Sequence, residues 1–273
     1  MRLINNRWGS DALNCTGTSQ RVNVNSDRTI GWAFNRPTCG GAKGDPDFPE
    51  VEFGVAPFGT TSSLLTTPSF SSTTLLPIQI KNLTSASVNI DTFATTFSNP
   101  TYYDANFEFW ISKQDPTKNA DAGVYAEIII FTGWEANRQN GATGAGGWAC
   151  SVTGSSGPVP NTNFTLCHQS DKWSQTPYWR FFNFVLGNGA DSNSVSTYNG
   201  KVDIKAILSW VMSNYANPGS GAAGNGNAPF TTDMWLTRIE VGTEIDDNTA
   251  GSAKINNLTY EINGTSKSVQ LAN

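Results

Sequence analysis

The sequence predicts an all-β sandwich, and three observations support this fold class. First, a β-sandwich can reach 273 residues as one unit, so we expect a single domain over residues 1–273. Second, only 14% of the residues are charged, while Gly, Ser, Thr and Asn are abundant, as in proteins whose short strands are joined by many turns. Third, several apolar runs alternate with a period of two, which is typical of strands with one buried face.

The N-terminal third is expected to hold four strands, over residues 2–6, 21–24, 29–34 and 48–54. A turn is predicted at Trp8 and Gly9, directly after the first strand. Residues 60–76 are dominated by Ser and Thr, so they form either a mucin-like linker or surface strands and turns. The interspersed Leu, Phe and Pro favour strands and turns.

Two central strands, over residues 107–112 and 125–131, show the clearest alternation. In the first, one face is wholly apolar and the other carries Glu108, Trp110 and Ser112. In the second, the apolar face is formed by Ala126, Ile128 and Ile130, and the opposite face carries Tyr125, Glu127, Ile129 and Phe131. Each strand therefore presents a carboxylate beside an aromatic residue, as expected where one side of a sheet packs in the core and the other lines a cleft.

The C-terminal half is expected to hold long loops over residues 135–172, strands over 179–186, 234–241 and 254–262, and one helix. The helix is predicted over residues 202–215, where Asp203 can cap the first turn. An apolar stripe marks its buried face and consists of Ile204, Ile207, Leu208, Val211 and Tyr215.

Charge excludes one class of partner. The formal net charge is −5, and no cluster of Lys and Arg is present, whereas nucleic-acid binding needs such clusters to neutralise phosphates. No apolar run approaches the roughly 18 residues of a membrane span. We therefore expect neither a nucleic-acid nor a membrane partner.

Four cysteines form an even set without Cys-x-x-Cys spacing, which favours disulfides over a zinc site. Three pairings are possible, and short-range closure favours Cys15 with Cys39 and Cys150 with Cys167. Disulfides are typical of secreted proteins, so we expect an extracellular protein that begins at its mature domain and binds no metal.

Two glutamates stand in otherwise apolar strand sequence, Glu127 and Glu244. Either one alone is compatible with a solvated strand charge or a turn acid. Two of them, in a chain with nine tryptophans and few charges, indicate an acid and a base facing each other across a sugar-binding groove, because sugars stack on aromatic rings.

Several motifs, in order along nearly the whole chain, resemble glycoside hydrolase family 12, the jelly-roll endo-β-1,4-glucanases and xyloglucanases. They are Ile4-Asn5-Asn6-Arg7-Trp8-Gly9, Phe48-Pro49-Glu50-Val51-Glu52-Phe53-Gly54, Phe107-Glu108-Phe109-Trp110, Ala126-Glu127-Ile128-Ile129-Ile130-Phe131 and Val241-Gly242-Thr243-Glu244. The resemblance implies a β-jelly-roll of two antiparallel sheets with a concave substrate cleft.

The resemblance also implies roles for single residues. Glu127 corresponds to the nucleophile and Glu244 to the general acid/base, and Asn6 and Trp8 correspond to glycone-side contacts. Glu108 stands where the family has an aspartate, which favours a supporting carboxylate that orients Glu127 and leaves an ion-pair partner of an arginine as the alternative.

Further substrate contacts are predicted at Trp110, Phe131 and Glu240. For Glu240 a solvated charge is an equal alternative. We expect hydrogen bonds to keep Glu127 ionised and its charge to keep Glu244 protonated, with a bell-shaped rate profile on the acidic side of neutrality.

These features predict a monomeric, secreted endoglucanase that needs no cofactor. The sequence leaves its β-glucan open among cellulose, xyloglucan and mixed-linkage glucan. The alternative is a non-catalytic carbohydrate-binding module or lectin on the same sandwich, because a fold does not fix a function. The glutamate pair favours the enzyme, since sugar binding alone needs no paired acid.

Overall fold

The computed structural model describes residues 2–39, 47–57, 66–67, 75–98, 103–119, 123–134, 157–158, 164–170, 179–186, 195–217 and 228–268. Within these ranges the chain forms two β-sheets with a shared apolar core, which confirms the predicted β-jelly-roll sandwich.

The larger sheet has ten strands in the described part of the chain. They are β1 (Arg2–Asn6), β4 (Phe48–Gly54), β5 (Thr66–Thr67), β6 (Ile78–Gln79), β8 (Tyr103–Ser112), β9 (Val124–Trp134), β10 (Gly157–Pro158), β11 (Phe164–Ser170), β12 (Arg180–Leu186) and β14 (Trp235–Ile245). Their spatial order is β10-β11-β12-β9-β8-β14-β4-β1-β5, with β6 paired to β14. The pairing of β12 with β9 is parallel and the others are antiparallel.

The smaller sheet has seven described strands. They are β2 (Ser19–Val24), β3 (Ile30–Arg36), β7 (Ala86–Ser98), β13 (Val195–Asp203), β15 (Thr249–Asn256), β16 (Thr259–Ile262) and β17 (Thr265–Ser268). Their order is β17-β16-β7-β15-β3-β2, with β13 paired to β7.

The core lies between the sheets and uses the alternate apolar residues of each strand. The predicted apolar face of β8 is confirmed, because Phe107, Phe109 and Ile111 are fully buried. Phe107 meets Phe93 of β7 edge to face with ring centroids 6.3 Å apart, and Phe93 contacts Trp32 of β3 at 5.9 Å. Such offset aromatic contacts add to the free energy gained by burying the rings.

Two α-helices join the sheets in the described part of the chain. The predicted helix is confirmed as α2 (Ile204–Tyr215), and Asp203 caps it by accepting a hydrogen bond from the backbone N–H of Ala206 at 2.9 Å. The other, α1 (Trp8–Ala12), replaces the predicted turn. Its five residues are too few to give the apolar periodicity by which a helix is recognised in sequence. A short 3₁₀ helix spans Ile80–Asn82.

Three sequence predictions of secondary structure need correction. Residues 135–172 are not loop throughout, since β10 and β11 lie there and β11 pairs with β12. The last predicted strand is two strands, β15 and β16, separated at Asn257, whose φ is +49°. Strand β7 was missed because its alternation changes phase between Ile90 and Phe93, where the pairing with β13 is irregular.

The predicted disulfide between Cys15 and Cys39 is confirmed, with Cα atoms 5.3 Å apart. Cys150 and the side chain of Cys167 lie outside the described part of the structure. Of the tract 60–76, the structure describes β5, which pairs with β1, and residues 75–76. Among the described residues no helix has the length and apolarity needed to cross a membrane.

Candidate active site

Four neighbouring strands of the larger sheet bring carboxylates onto one face. β8 lies between β9 and β14, and β4 follows β14. We call the side of these strands that points away from the core the carboxylate face. Its members are Glu50 and Glu52 of β4, Asp104, Asn106, Glu108 and Trp110 of β8, Glu127, Ile129 and Phe131 of β9, and Arg238, Glu240, Gly242 and Glu244 of β14.

The strand register fixes where the two key glutamates lie. Glu127 is opposite Trp110 on β8, and Glu244 is opposite Asp104, so the two glutamates are offset by six residues along β8 (110 − 104). The charge of Glu244 contributes to raising the pKa of Glu127 and is the largest such contribution after that of burial. Glu244 is partly exposed, whereas Glu127 is 6% exposed.

Glu127 is held by a tryptophan. The indole Nε1 of Trp179 donates a hydrogen bond to Oε2 of Glu127 at 2.7 Å, and the Trp179 ring meets that of Trp110 edge to face, 5.9 Å between centroids. We expected hydrogen bonding to keep Glu127 ionised. Instead burial, followed by the charge of Glu244, raises its pKa well above the ordinary value, and the Trp179 bond opposes this shift only in part.

Glu108 is a buried member of the same cluster. In the register it lies between Ile129 of β9 and Glu240 of β14. Burial, then the charges of Glu240, Glu127 and Glu244, raise its pKa well above the ordinary value. Glu108 is thus opposite Glu240 and two positions along β8 from Trp110, which faces Glu127. Its role as a supporting carboxylate stays a prediction.

Glu240 has its carboxylate engaged within the protein. It is 3% exposed, accepts a hydrogen bond from the indole Nε1 of Trp110 at 2.7 Å, and forms an ion pair with Arg238. Of the two predictions made for it, the solvated charge is therefore wrong. The alternation along β14 puts its side chain on the same face as Glu244, and the neighbouring arginine offsets the cost of burying it.

Arg238 connects three of these carboxylates. It lies 3.0 Å from Glu50 and 3.1 Å from Glu52, in addition to Glu240. Burial by itself lowers the pKa of the guanidinium, but the charges of Glu240, Glu50 and Glu52 outweigh that effect and raise it. One cation therefore serves several buried anions.

The motif around Glu244 has a structural reason for each residue. A Cβ at Gly242 would lie 2.5 Å from the Cβ of Glu50, so glycine allows β4 and β14 to approach. Thr243 points into the core, where its Oγ1 accepts a hydrogen bond from the indole Nε1 of Trp32 at 2.9 Å. Glu244 then points to the carboxylate face.

The other predicted substrate contacts are placed as follows. Phe131 lies on the carboxylate face opposite Asn106 and is buried. Trp110 is also buried on this face. Asn6 ends β1 and Trp8 begins α1, but their side chains lie outside the described part of the structure.

One residue of β9 does not lie on the predicted face. We placed Tyr125 beside Glu127, but its side chain packs in the core against Phe230, with ring centroids 5.0 Å apart. The pairing of β8 and β9 is irregular here, since Ile111 faces Ala126 while Ser112 faces Val124. Tyr125 is the extra residue, and such a bulge turns a side chain to the other face.

Sequence analysis missed three residues of this site: Asp104, Arg238 and Trp179. Asp104 is 0% exposed, lies opposite Glu244, and accepts a hydrogen bond from Nδ2 of Asn106 at 2.6 Å. The alternation of Asp104, Asn106 and Glu108 was available in the sequence, but the predicted strand began at residue 107. No local pattern identifies Trp179, which lies outside the strand itself.

The fold is that of known glycoside hydrolases. No protein-family model and no curated protein matches this sequence. Among solved structures, it is similar to a native family 12 xyloglucanase from Bacillus licheniformis, with 14% sequence identity, a TM-score of 0.63, and coverage of 95% of this chain and 92% of that chain.

Two further enzymes match to a similar extent. An endoglucanase from Rhodothermus marinus has 15% identity and a TM-score of 0.58 over 97% of this chain and 91% of that chain. Endoglucanase 3 from Trichoderma harzianum has 14% identity and a TM-score of 0.57 over 96% of this chain and 90% of that chain. The chain therefore has a family 12 glycoside hydrolase fold, as the sequence motifs indicate.

Proposed function

We propose that this protein is a secreted, retaining endo-β-1,4-glucanase that cleaves internal bonds of a β-glucan, with Glu127 as nucleophile and Glu244 as general acid/base. One observation carries the proposal: Glu127, a buried glutamate that accepts a tryptophan hydrogen bond, lies on the same face of the sheet as the more exposed Glu244, two strands away. Two carboxylates on one face of a sheet of this fold suit acid/base chemistry better than sugar binding alone.

The proposed reaction has two steps. The ionised Glu127 attacks the anomeric carbon while Glu244 gives its proton to the leaving glycosidic oxygen, so a glycosyl–enzyme ester forms and the sugar–oxygen bond breaks. Glu244, now ionised, takes a proton from water, which attacks the ester and releases the sugar with its original anomeric configuration. The proton that Glu244 gives in the first step is replaced in the second step by one from the attacking water, so Glu244 ends the cycle protonated.

The pKa of Glu127 sets the acidic limit of the proposed activity, because this residue must be ionised to attack. Burial and the charge of Glu244 raise the pKa of Glu127. We therefore expect the acidic limb of the rate profile above the pH at which a free glutamate ionises.

The remaining features of the proposal follow from fold and composition. Asn6, Trp8, Trp110, Phe131 and Glu240 are proposed to shape the substrate site, Trp110 and Glu240 through their mutual hydrogen bond. The disulfide suits an oxidising, extracellular compartment. We further propose one domain over residues 1–273 and a monomer that acts without cofactor or metal.

The proposal is tested by activity on polysaccharides. Reducing-sugar release and viscosity loss are measured on xyloglucan, carboxymethylcellulose and mixed-linkage glucan, for wild type and for Glu127→Gln and Glu244→Gln. We expect wild type to cut at least one of them with a rapid fall in viscosity and each variant to lose most activity. A wild type that binds these glucans and cuts none would identify a lectin or binding module instead.

Product stereochemistry tests the mechanism separately. Retention needs carboxyl groups about 5–5.5 Å apart, whereas inversion uses about 6.5–9.5 Å. We expect proton NMR to show the β-anomer as the first product. An α-anomer as the first product would indicate inversion, in which Glu127 acts as a general base and not as a nucleophile.

A further inference from the structure

Two residues of β3, in the opposite sheet, donate hydrogen bonds to the two chain neighbours of Glu244. The indole Nε1 of Trp32 donates to Oγ1 of Thr243 at 2.9 Å, and Nη1 of Arg36 donates to the carbonyl oxygen of Ile245 at 3.0 Å. Thr243 precedes Glu244 and Ile245 follows it. β14 is thus tied across the core immediately before and after this carboxylate.

Arg36 is an unexpected residue at its position. Along β3 the inward positions are Ile30, Trp32, Phe34 and Arg36, so an apolar side chain would continue the pattern. Arg36 is instead 1% exposed, and burying a guanidinium costs several kcal/mol unless it is well paired. A charge kept in such a place needs a reason beyond core packing.

The partners of Arg36 supply that reason. Its guanidinium lies 3.7 Å from Asp47, 3.7 Å from Asp246 and 3.1 Å from Asp247. Asp47 also pairs with Ile245 through two backbone hydrogen bonds, of 2.8 and 2.9 Å. The ion pairs and the backbone bonds therefore converge on the residue that follows Glu244.

We propose that Trp32 and Arg36 are positioning residues for Glu244. By fixing Thr243 and Ile245, they fix the position of the Glu244 backbone within β14. That position sets the distance from the Glu244 carboxyl group to the leaving oxygen. A general acid has to come within about 2.6–3.2 Å of the atom it protonates. This inference rests on the proposed role of Glu244 as proton donor.

The experiment compares two substrates that differ in their need for a proton. One is an aryl oligoglucoside whose dinitrophenolate leaves unprotonated, and the other is the corresponding unsubstituted oligosaccharide. The value of kcat/KM is measured because it reports the first, glycosylation step alone. We expect Arg36→Lys and Trp32→Phe to lower it about 10-fold or more further on the oligosaccharide than on the aryl substrate, as Glu244→Gln does.

A double-mutant cycle isolates the hydrogen bond of Trp32. Thr243→Val removes the acceptor and keeps the shape, so it should reproduce the substrate preference of Trp32→Phe. The double variant should then lose no more than either single variant, because both remove the same bond. Additive losses would show that the two side chains act independently.

Two substitutions elsewhere serve as matched controls. Trp210 packs on Phe184 from helix α2, and Arg180 is a buried arginine that donates to the hydroxyl of Tyr125 and the carbonyl of Tyr215. Trp210→Phe and Arg180→Lys should leave the ratio of the two kcat/KM values unchanged, whatever they do to stability.

Three outcomes decide the matter. Equal losses on both substrates in Arg36→Lys and Trp32→Phe, with a clear preference in Glu244→Gln, would overturn the positioning role and leave the proposed function standing. Equal losses in Glu244→Gln itself would remove the proton donor and both proposals with it. If Arg36→Lys does not fold, Trp32→Phe decides alone.

Discussion

Replacing Trp179 with phenylalanine tests whether Glu127 acts in its ionised form. The indole Nε1 of Trp179 donates to Oε2 of Glu127 at 2.7 Å, and this bond opposes the burial that raises the pKa of Glu127. Phenylalanine keeps an aromatic ring beside Trp110 and provides no donor. The pKa of Glu127 should therefore rise further in Trp179→Phe.

The structure also sets the expected magnitude. A hydrogen bond to a charged group contributes about 1.5–3 kcal/mol, which corresponds to roughly 10- to 150-fold in rate. The loss should be concentrated at acidic pH, because only the ionised Glu127 can attack and a higher pKa shrinks its ionised fraction there. The acidic limb of the profile should move to higher pH, and activity should recover above it.

The assay is kcat/KM of wild type and Trp179→Phe from about pH 4 to pH 9. Trp210→Phe makes the same chemical change on α2 and should leave the acidic limb in place. An acidic limb that does not move in Trp179→Phe, or a loss that is equal at every pH, would refute the idea that this hydrogen bond tunes an ionised Glu127.

Three further predictions concern stability. Because the folded-state pKa of Glu127 is raised above its ordinary value of 4.5, the folded protein binds more protons, so the free energy of unfolding falls as pH rises from about 4.5 to the folded-state pKa. Glu127→Gln should thus unfold at higher urea than wild type at neutral pH and at a similar concentration near pH 4; an equal gain at both pH values would contradict this. Gly242→Ala should lower the free energy of unfolding by about 1–3 kcal/mol, since its Cβ would lie 2.5 Å from the Cβ of Glu50. An unchanged urea midpoint would show that β4 can move away from β14 without loss of stability. Cys15→Ser opens a loop of sequence separation 24 and should cost about 3.5 kcal/mol in urea unfolding; a variant as stable as wild type would contradict a stabilising role of this disulfide.

Local features of the sequence were sufficient for the strand faces and the main helix. The alternation in β8 placed Phe107 in the core and Glu108 on the opposite face, as the structure confirms. The helix α2 and its cap at Asp203 were equally readable. Each of these is a property of a few consecutive residues, and period two or the 3.6-residue period reports which side chains share a face.

Local features failed where the pairing was irregular. Tyr125 and the phase change within β7 both occur at positions where one strand carries an extra residue relative to its partner. A bulge is created by the partner strand as much as by its own sequence, so one strand alone gives no warning of it.

The sequence by itself determined the identity of the acidic residues, the side of each strand on which they lie, and the family motif that orders them. Only the tertiary structure decided which strands are neighbours, that Trp179 reaches Glu127 across 52 positions, and that Trp32 reaches Thr243 across 211. The physical reason is that alternation is encoded residue by residue, whereas strand order minimises the free energy of the whole sandwich. Contacts between distant segments form only when the strands have paired in their final order.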